Sequence, residues 1–229
     1  DLVRSRGLGD VYKRQTQVTM TTNGVLLQDN LEALKKAGLA GINISLDTLD
    51  REKYQEITGT DACETVRQAV AAAAESGIRT KVNTVLQSDG DKTEWKALIT
   101  LAESLPVDVR FIELMPIGYG KENTGVSNLE LLDEIRKVYP DIRKDSKIHG
   151  NGPAVYYQIP GFTGGIGFIS AMHGKFCKNC NRIRLTSTGD LKPCLCYGDI
   201  YPLKELLKSG TDDAVSYTHL RAHETVLDL

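Results

Sequence analysis

The chain has 229 residues, 41% hydrophobic and 25% charged, enough to bury the core of one large domain or of a domain with a lobe. Its formal net charge is -2, so no overall basic field draws it to nucleic acid, and an anionic ligand must be caught by local charges. No apolar run reaches the roughly 20 residues that span a bilayer. The first residues lack the apolar centre of a signal peptide, and a cytoplasmic protein without a membrane partner is expected.

Residues 1–15 are charged, show no period, and read as a leader foreign to the fold. From Val18 onward short apolar runs alternate with amphipathic stretches. Strands are predicted at Val18–Thr22, Gly41–Leu46, Arg79–Leu86 and Asp108–Glu113, with helices near Asp29–Ala37, Glu64–Ser76 and Thr93–Leu105. Gly38 and Gly77 stand where two of these helices end, the place a left-handed cap prefers. Strands alternating with helices of this length imply βαβ units and a parallel sheet. Periodicity alone leaves a barrel and an open doubly wound sheet as alternatives.

After Pro116 the rhythm changes. Gly118, Gly120 and Gly125 mark a loop, and Asn128–Tyr139 reads as a helix. Ala154–Ile159, Gly165–Ser170, Arg182–Thr186 and Asp190–Pro193 read as short strands, the last two joined by a hairpin turn through Gly189. A helix near Leu203–Lys208 closes the pattern. The organisation expected is a leader at 1–15, an α/β part at 16–127, an extension at 128–213 and a foreign tail at 214–229.

Five cysteines stand at 63, 177, 180, 194 and 196; Cys63 is isolated and the other four are clustered. In a chain without an export signal, clustering points to metal ligands rather than disulfides. Cys177-x2-Cys180 turns two thiolates onto one metal, and the following hairpin returns Cys194 to the same corner. Two chemistries fit. A tetrahedral zinc site would take Cys196 as its fourth thiolate. A [4Fe-4S] cluster would use Cys177, Cys180 and Cys194 and keep one iron open. Of the two, three ligands with Cys196 as a bystander is the expectation. Beside the cysteines, Arg182 and Arg184 lie on one strand face, and two guanidinium forks there suit a phosphate chain.

Several segments together resemble one family. They are Thr21-Thr22-Asn23-Gly24, Asn43-Ile44-Ser45-Leu46-Asp47, Lys81-Val82-Asn83, Arg110-Phe111-Ile112-Glu113-Leu114-Met115-Pro116, and the cysteine segment from Phe176 to Leu185. In order and spacing they are similar to the GTP 3′,8-cyclases of molybdenum cofactor biosynthesis, enzymes of the radical S-adenosylmethionine (SAM) superfamily. The resemblance implies a partial (β/α)6 barrel of TIM type, strands three to six being present, with a C-terminal α+β extension carrying an iron–sulfur cluster. It implies a lyase in which a 5′-deoxyadenosyl radical abstracts the 3′ hydrogen of GTP and the ribose carbon then closes onto C8 of guanine.

Carried over residue by residue, the resemblance makes Cys177, Cys180 and Cys194 the ligands of the second, GTP-side [4Fe-4S] cluster. Thr21, Lys81, Arg182, Ile183 and Arg184 become GTP contacts, and Ser45 and Met115 contacts to SAM. The implied partners are GTP and SAM, with a homodimer in the full-length protein. The family's Cys-x3-Cys-x2-Cys motif, which holds the SAM-cleaving cluster, does not occur in this sequence, so this polypeptide alone is expected to be inactive and poorly soluble. The rivals are a structural zinc module using all four clustered cysteines, another radical SAM enzyme with an auxiliary cluster, and an ordinary TIM-barrel aldolase that leaves the cysteines unexplained.

Overall fold

The structure, a computed structural model, describes residues 17–87, 93–123, 125–173, 180, 182–196 and 200–209. Its first half is a run of parallel strands and covering helices. In chain order these are β1 (Thr19–Thr22), α1 (Leu27–Lys36), β2 (Gly41–Ser45), α2 (Arg51–Thr58), α3 (Cys63–Glu75), β3 (Arg79–Thr84), α4 (Glu94–Ser104) and β4 (Val107–Ile112). The second half gives α5 (Asn128–Val138), β5 (Arg143–Lys144), β6 (Val155–Gln158), β7 (Ile166–Ile169), β8 (Arg184–Leu185), β9 (Leu191–Lys192) and α6 (Leu203–Lys208).

Seven strands form one sheet in the order β1-β2-β3-β4-β7-β6-β5. The first five are parallel, β6 runs antiparallel to β7, and β5 runs antiparallel to β6. β8 and β9 make a separate hairpin. Expected and observed strands agree to within two residues at each end. The helix α2 has no counterpart in the sequence reading. Asp50 caps its N-terminus by accepting from the Lys53 amide at 2.8 Å, and Gly59 ends it in the left-handed conformation. Gly38 and Gly77 likewise adopt positive φ at the ends of α1 and α3.

A parallel sheet covered on both faces by helices reads as a near-continuous apolar run. These strands instead alternate. Ile42, Ile44, Val82, Val109, Phe111, Ile166 and Phe168 are buried in the core that α1, α3, α4 and α5 cover. The intervening positions carry Thr21, Asn43, Lys81, Asn83 and Arg110. Strand register sets these polar side chains in two rows. Thr21, Asn43, Lys81 and Asp108 are successive partners in one, and Ser45, Asn83, Arg110 and Gly167 in the other. The second sheet face is therefore a polar floor, and the functional site is built on it.

Candidate functional site

A cavity of about 430 Å³ lies over the polar floor. Thr21, Asn43, Lys81, Asn83 and Arg110 line it from the strands, Arg79 from the start of β3, the 149–152 segment from one side and Arg182 from the hairpin. Of the residues expected to contact GTP, the cavity brings together Thr21, Lys81 and Arg182 from widely separated parts of the chain. Arg184 sits in β8, paired with Lys192, and Ile183 is 63% exposed. Neither lines the cavity.

Arg110 organises the floor. Its Nε donates to Asn83 Oδ1 at 2.8 Å and its terminal nitrogen to Asn43 Oδ1 at 2.7 Å. Asn43 in turn donates from Nδ2 to Thr21 Oγ1 at 3.3 Å, so one chain of hydrogen bonds crosses four strands. This is possible because β7 offers Gly167 as the partner of Arg110: a Cβ there would stand 2.9 Å from both Arg110 Cγ and the Tyr156 ring. The sequence reading held Arg110 only as part of a motif. Its period-2 position beside the lysine strand was the signal that could have found it.

Lys81 is buried, donating to Tyr156 Oη at 2.7 Å and to the His149 carbonyl. Burial and the neighbouring Arg110 cation pull its pKa down to about 8, against the opposing pull of Asp108. Burial also pushes the Tyr156 phenol up to about 12. Arg182, at the cavity mouth, has its pKa lowered by partial burial, with Cys180 opposing and the Arg184 and Arg110 cations reinforcing the shift. Four cationic side chains, Arg79, Lys81, Arg110 and Arg182, thus converge on one space. Like charges so gathered repel unless an anion separates them, and the arrangement suits a polyphosphate.

A second group orders the approach to the cysteines. Glu113 is 3% exposed, and its carboxylate accepts from the backbone amides of Asn128 (3.1 Å), Met172 (2.7 Å) and His173 (2.9 Å) and meets the His173 ring at 3.2 Å. Burial alone would raise its pKa; these hydrogen bonds outweigh burial and hold it below the ordinary value. Glu113 therefore ties the end of β4 to the start of α5 and to residues 172–173, which lead into the cysteine loop.

Of the expected cluster ligands, Cys177 lies outside the described residues. Cys180 is exposed, Cys194 half-buried, and both are free thiols. The hairpin register pairs Arg184 with Lys192 and Leu185 with Leu191; Cys180 precedes its first strand and Cys194 follows its second. Cys180 and Cys194 thus stand at the open end of one hairpin, with the soft donors an iron–sulfur cluster takes. Cys196 Sγ lies 3.5 Å from Met115 Sδ. Met115 and Ser45, the expected SAM contacts, follow or end strands at the same C-terminal edge of the sheet.

The family description Molybdenum Cofactor Synthesis C matches residues 107–224, and Radical SAM superfamily matches residues 3–102. A Clostridium perfringens (strain 13 / Type A) protein named GTP 3′,8-cyclase is 43% identical over 197 residues, covering 86% of this chain and 61% of that protein. A Pelotomaculum thermopropionicum protein of the same name is 36% identical over 219 residues, covering 91% of the chain and 67% of its own length. The chain belongs to the GTP 3′,8-cyclase family. Molybdenum cofactor biosynthesis protein 1 of Drosophila melanogaster is 39% identical over 209 residues, 89% of this chain and 36% of that protein. Among solved structures, Streptococcus suis SuiB bound to S-adenosylmethionine superposes with a TM-score of 0.58 at 15% identity, over 86% of this chain and 48% of that one, a likeness of fold. The family match and the α/β sheet agree with the radical SAM reading of the sequence. The chain spans 61% of the length of the first Clostridium relatives it matches.

Proposed function

We propose that the chain is the greater part of a GTP 3′,8-cyclase that converts GTP to (8S)-3′,8-cyclo-7,8-dihydroguanosine 5′-triphosphate, its sheet being an arc of the family's (β/α)6 barrel. The observation that carries this reading is the convergence of Arg79, Lys81, Arg110 and Arg182 on one cavity beside a hairpin bearing free thiols. In this reading the four cations hold the triphosphate and Thr21 contributes a hydroxyl to it. Ile183 and Arg184 extend the pocket toward the guanine. Cys177, Cys180 and Cys194 would hold the second [4Fe-4S] cluster, which would supply Lewis-acid coordination for the base. Ser45 and Met115 would contact SAM, which would supply the radical chemistry. The part of these side chains is to bind and orient the nucleotide. A homodimer and a cytoplasmic location are proposed on the family resemblance.

Anaerobic reconstitution of the full-length protein with iron and sulfide, followed by calorimetric titration with GTP, tests the reading. Broad visible absorbance with four irons lost on Cys194→Ala, and GTP binding lost on Arg182→Ala, are the expected results. Stoichiometric zinc without visible absorbance would instead establish the structural four-cysteine module.

A further inference from the structure

We propose that His149 is a positioning residue that keeps the Asp108 carboxylate from closing to a hydrogen bond with Lys81, leaving one lysine N–H for the anionic ligand of the cavity. The inference rests on the reading of the cavity as a triphosphate seat. Neither His149 nor Asp108 belongs to a segment that carries the family resemblance.

Asp108 and Lys81 are register partners on adjacent strands, and an unopposed pair there would close into a direct salt bridge. They pair only at longer range: Lys81 Nζ and the nearest Asp108 oxygen stand 3.7 Å apart, an ion pair stretched beyond ordinary hydrogen-bond length. The reason is His149. Its Nδ1 lies 3.0 Å from each of the two Asp108 oxygens, and its Nε2 lies 3.1 Å from Asp145 Oδ2. The ring is further fixed by stacking on Tyr156, with centroids 4.0 Å apart and planes at 9°. The amide of Gly165 supplies another donor to Asp108 Oδ1 at 3.3 Å. Asp108 is thus satisfied from the side of the 145–149 segment rather than by the lysine.

Lys81 meanwhile spends two of its three donors on Tyr156 Oη and the His149 carbonyl, which keeps one for the cavity. The charged and titratable groups around it are Asp108 and Arg110 from β4, Arg79 from its own strand, His149 with its partner Asp145 from the segment after β5, Tyr156 from β6 and, across the cavity, Arg182 from the hairpin. Only the Asp108 carboxylate among these stands close enough to take the lysine charge. The next residue, Gly150, brings bare backbone against both cations. A Cβ there would meet an Arg79 guanidinium nitrogen at 3.1 Å and Lys81 Nζ at 3.5 Å.

The test reads Lys81 directly, by the ¹³Cε shift of labelled lysine through a pH titration, in the wild type, His149→Ala, Asp108→Asn and the double variant. Lys81 is expected to titrate near 8 in the wild type. In His149→Ala it rises by about one unit or more, because Asp108 closes on it. Adding Asp108→Asn cancels the rise. Affinity for inorganic triphosphate at pH 7.5 falls about tenfold in His149→Ala and is regained in the double variant. An unchanged Lys81 titration in folded His149→Ala overturns the proposal. Should that variant not fold, Asp108→Asn alone decides: a Lys81 titration that does not fall shows that Asp108 exerts no pull to be withheld. If triphosphate does not bind the wild type, the triphosphate reading fails, while the Lys81 titration still judges the role of His149.

Discussion

Arg110 on β4 reaches over β3 to bond Asn83 at 2.8 Å and Asn43 of β2 at 2.7 Å, so one guanidinium ties three parallel strands from the polar side. Its fork geometry matters as much as its charge. Arg110→Lys keeps the cation but cannot span both amide oxygens, which leaves buried acceptors unpaired. The variant is expected to lose about 1–3 kcal/mol of stability in chemical denaturation. It should also weaken GTP binding about tenfold, since the ammonium has fewer donors and no planar fork to offer phosphate. A calorimetric affinity equal to wild type would remove Arg110 from the ligand site.

Glu113 makes a similar prediction for stability alone. Its two oxygens receive three backbone amides and the His173 ring, and Gln in its place has one acceptor oxygen and an amide facing donors. Glu113→Gln is expected to cost about 2–3 kcal/mol. Because the folded carboxylate has a lowered pKa, its contribution is present above the ordinary value and fades as pH falls through the folded one. Acid unfolding followed by circular dichroism should show this loss in the wild type. The Gln variant, less stable from the outset, should lack that portion of the acid slope.

The strands β1 to β4 and the helices between them were legible because apolar spacing and glycine caps are local signals, as at Gly38 and Gly77. The place of β7 was not: Ile166–Ile169 reads as one more short strand, and nothing local says that it inserts beside β4 while β6 turns back. The helix Arg51–Thr58 was missed because a single buried residue, Tyr54, leaves no apolar period to read. In the site, Lys81 and Arg182 were named from motifs. Arg110, Glu113 and His149 escaped as functional side chains because the partners that define their roles lie 27 to 67, 15 to 60 and, for Asp108 beside His149, 41 residues away, separations that no spacing rule reaches.

Gly167 offers a test of the close packing over Arg110. Gly167→Ala places a methyl 2.9 Å from Arg110 Cγ and the Tyr156 ring, so both must shift. Overpacking of this kind costs about 1–3 kcal/mol. The displaced Arg110 and Tyr156 should also lower GTP affinity, with Tyr156 Oη no longer at 2.7 Å from Lys81. A variant as stable and as tight-binding as wild type would show that the site tolerates a side chain there.

Lys81 couples ligand binding and stability to pH in opposite senses. Its folded pKa is near 8, below the ordinary 10.5, so between these values the unfolded chain holds the proton more tightly. Stability of the ligand-free protein should therefore rise with pH from about 8 to about 10. Above pH 10 the Tyr156 phenol, raised to about 12 in the fold, ionises first in the unfolded chain and reverses the gain. GTP binding is expected to run the other way, weakening as Lys81 loses its proton above about 8. In Lys81→Met both the stability rise and the alkaline loss of binding should vanish, and a retained alkaline loss of GTP affinity would assign it to another group.

Cys194 and Cys196 should behave differently on metal loading. Cys194 is half-buried at the open end of the hairpin that also brings up Cys180, whereas Cys196 is exposed with its sulfur against Met115 Sδ at 3.5 Å. Both can ligate by residue type, so only position separates them. A three-thiolate cluster predicts that Cys194→Ser abolishes the iron–sulfur absorbance and that Cys196→Ser retains full iron and sulfide. A tetrahedral site of four thiolates predicts equal loss from either. Measured iron, sulfide and zinc content of the two reconstituted variants decides between a centre with an open iron, able to take a nucleobase, and a closed structural one.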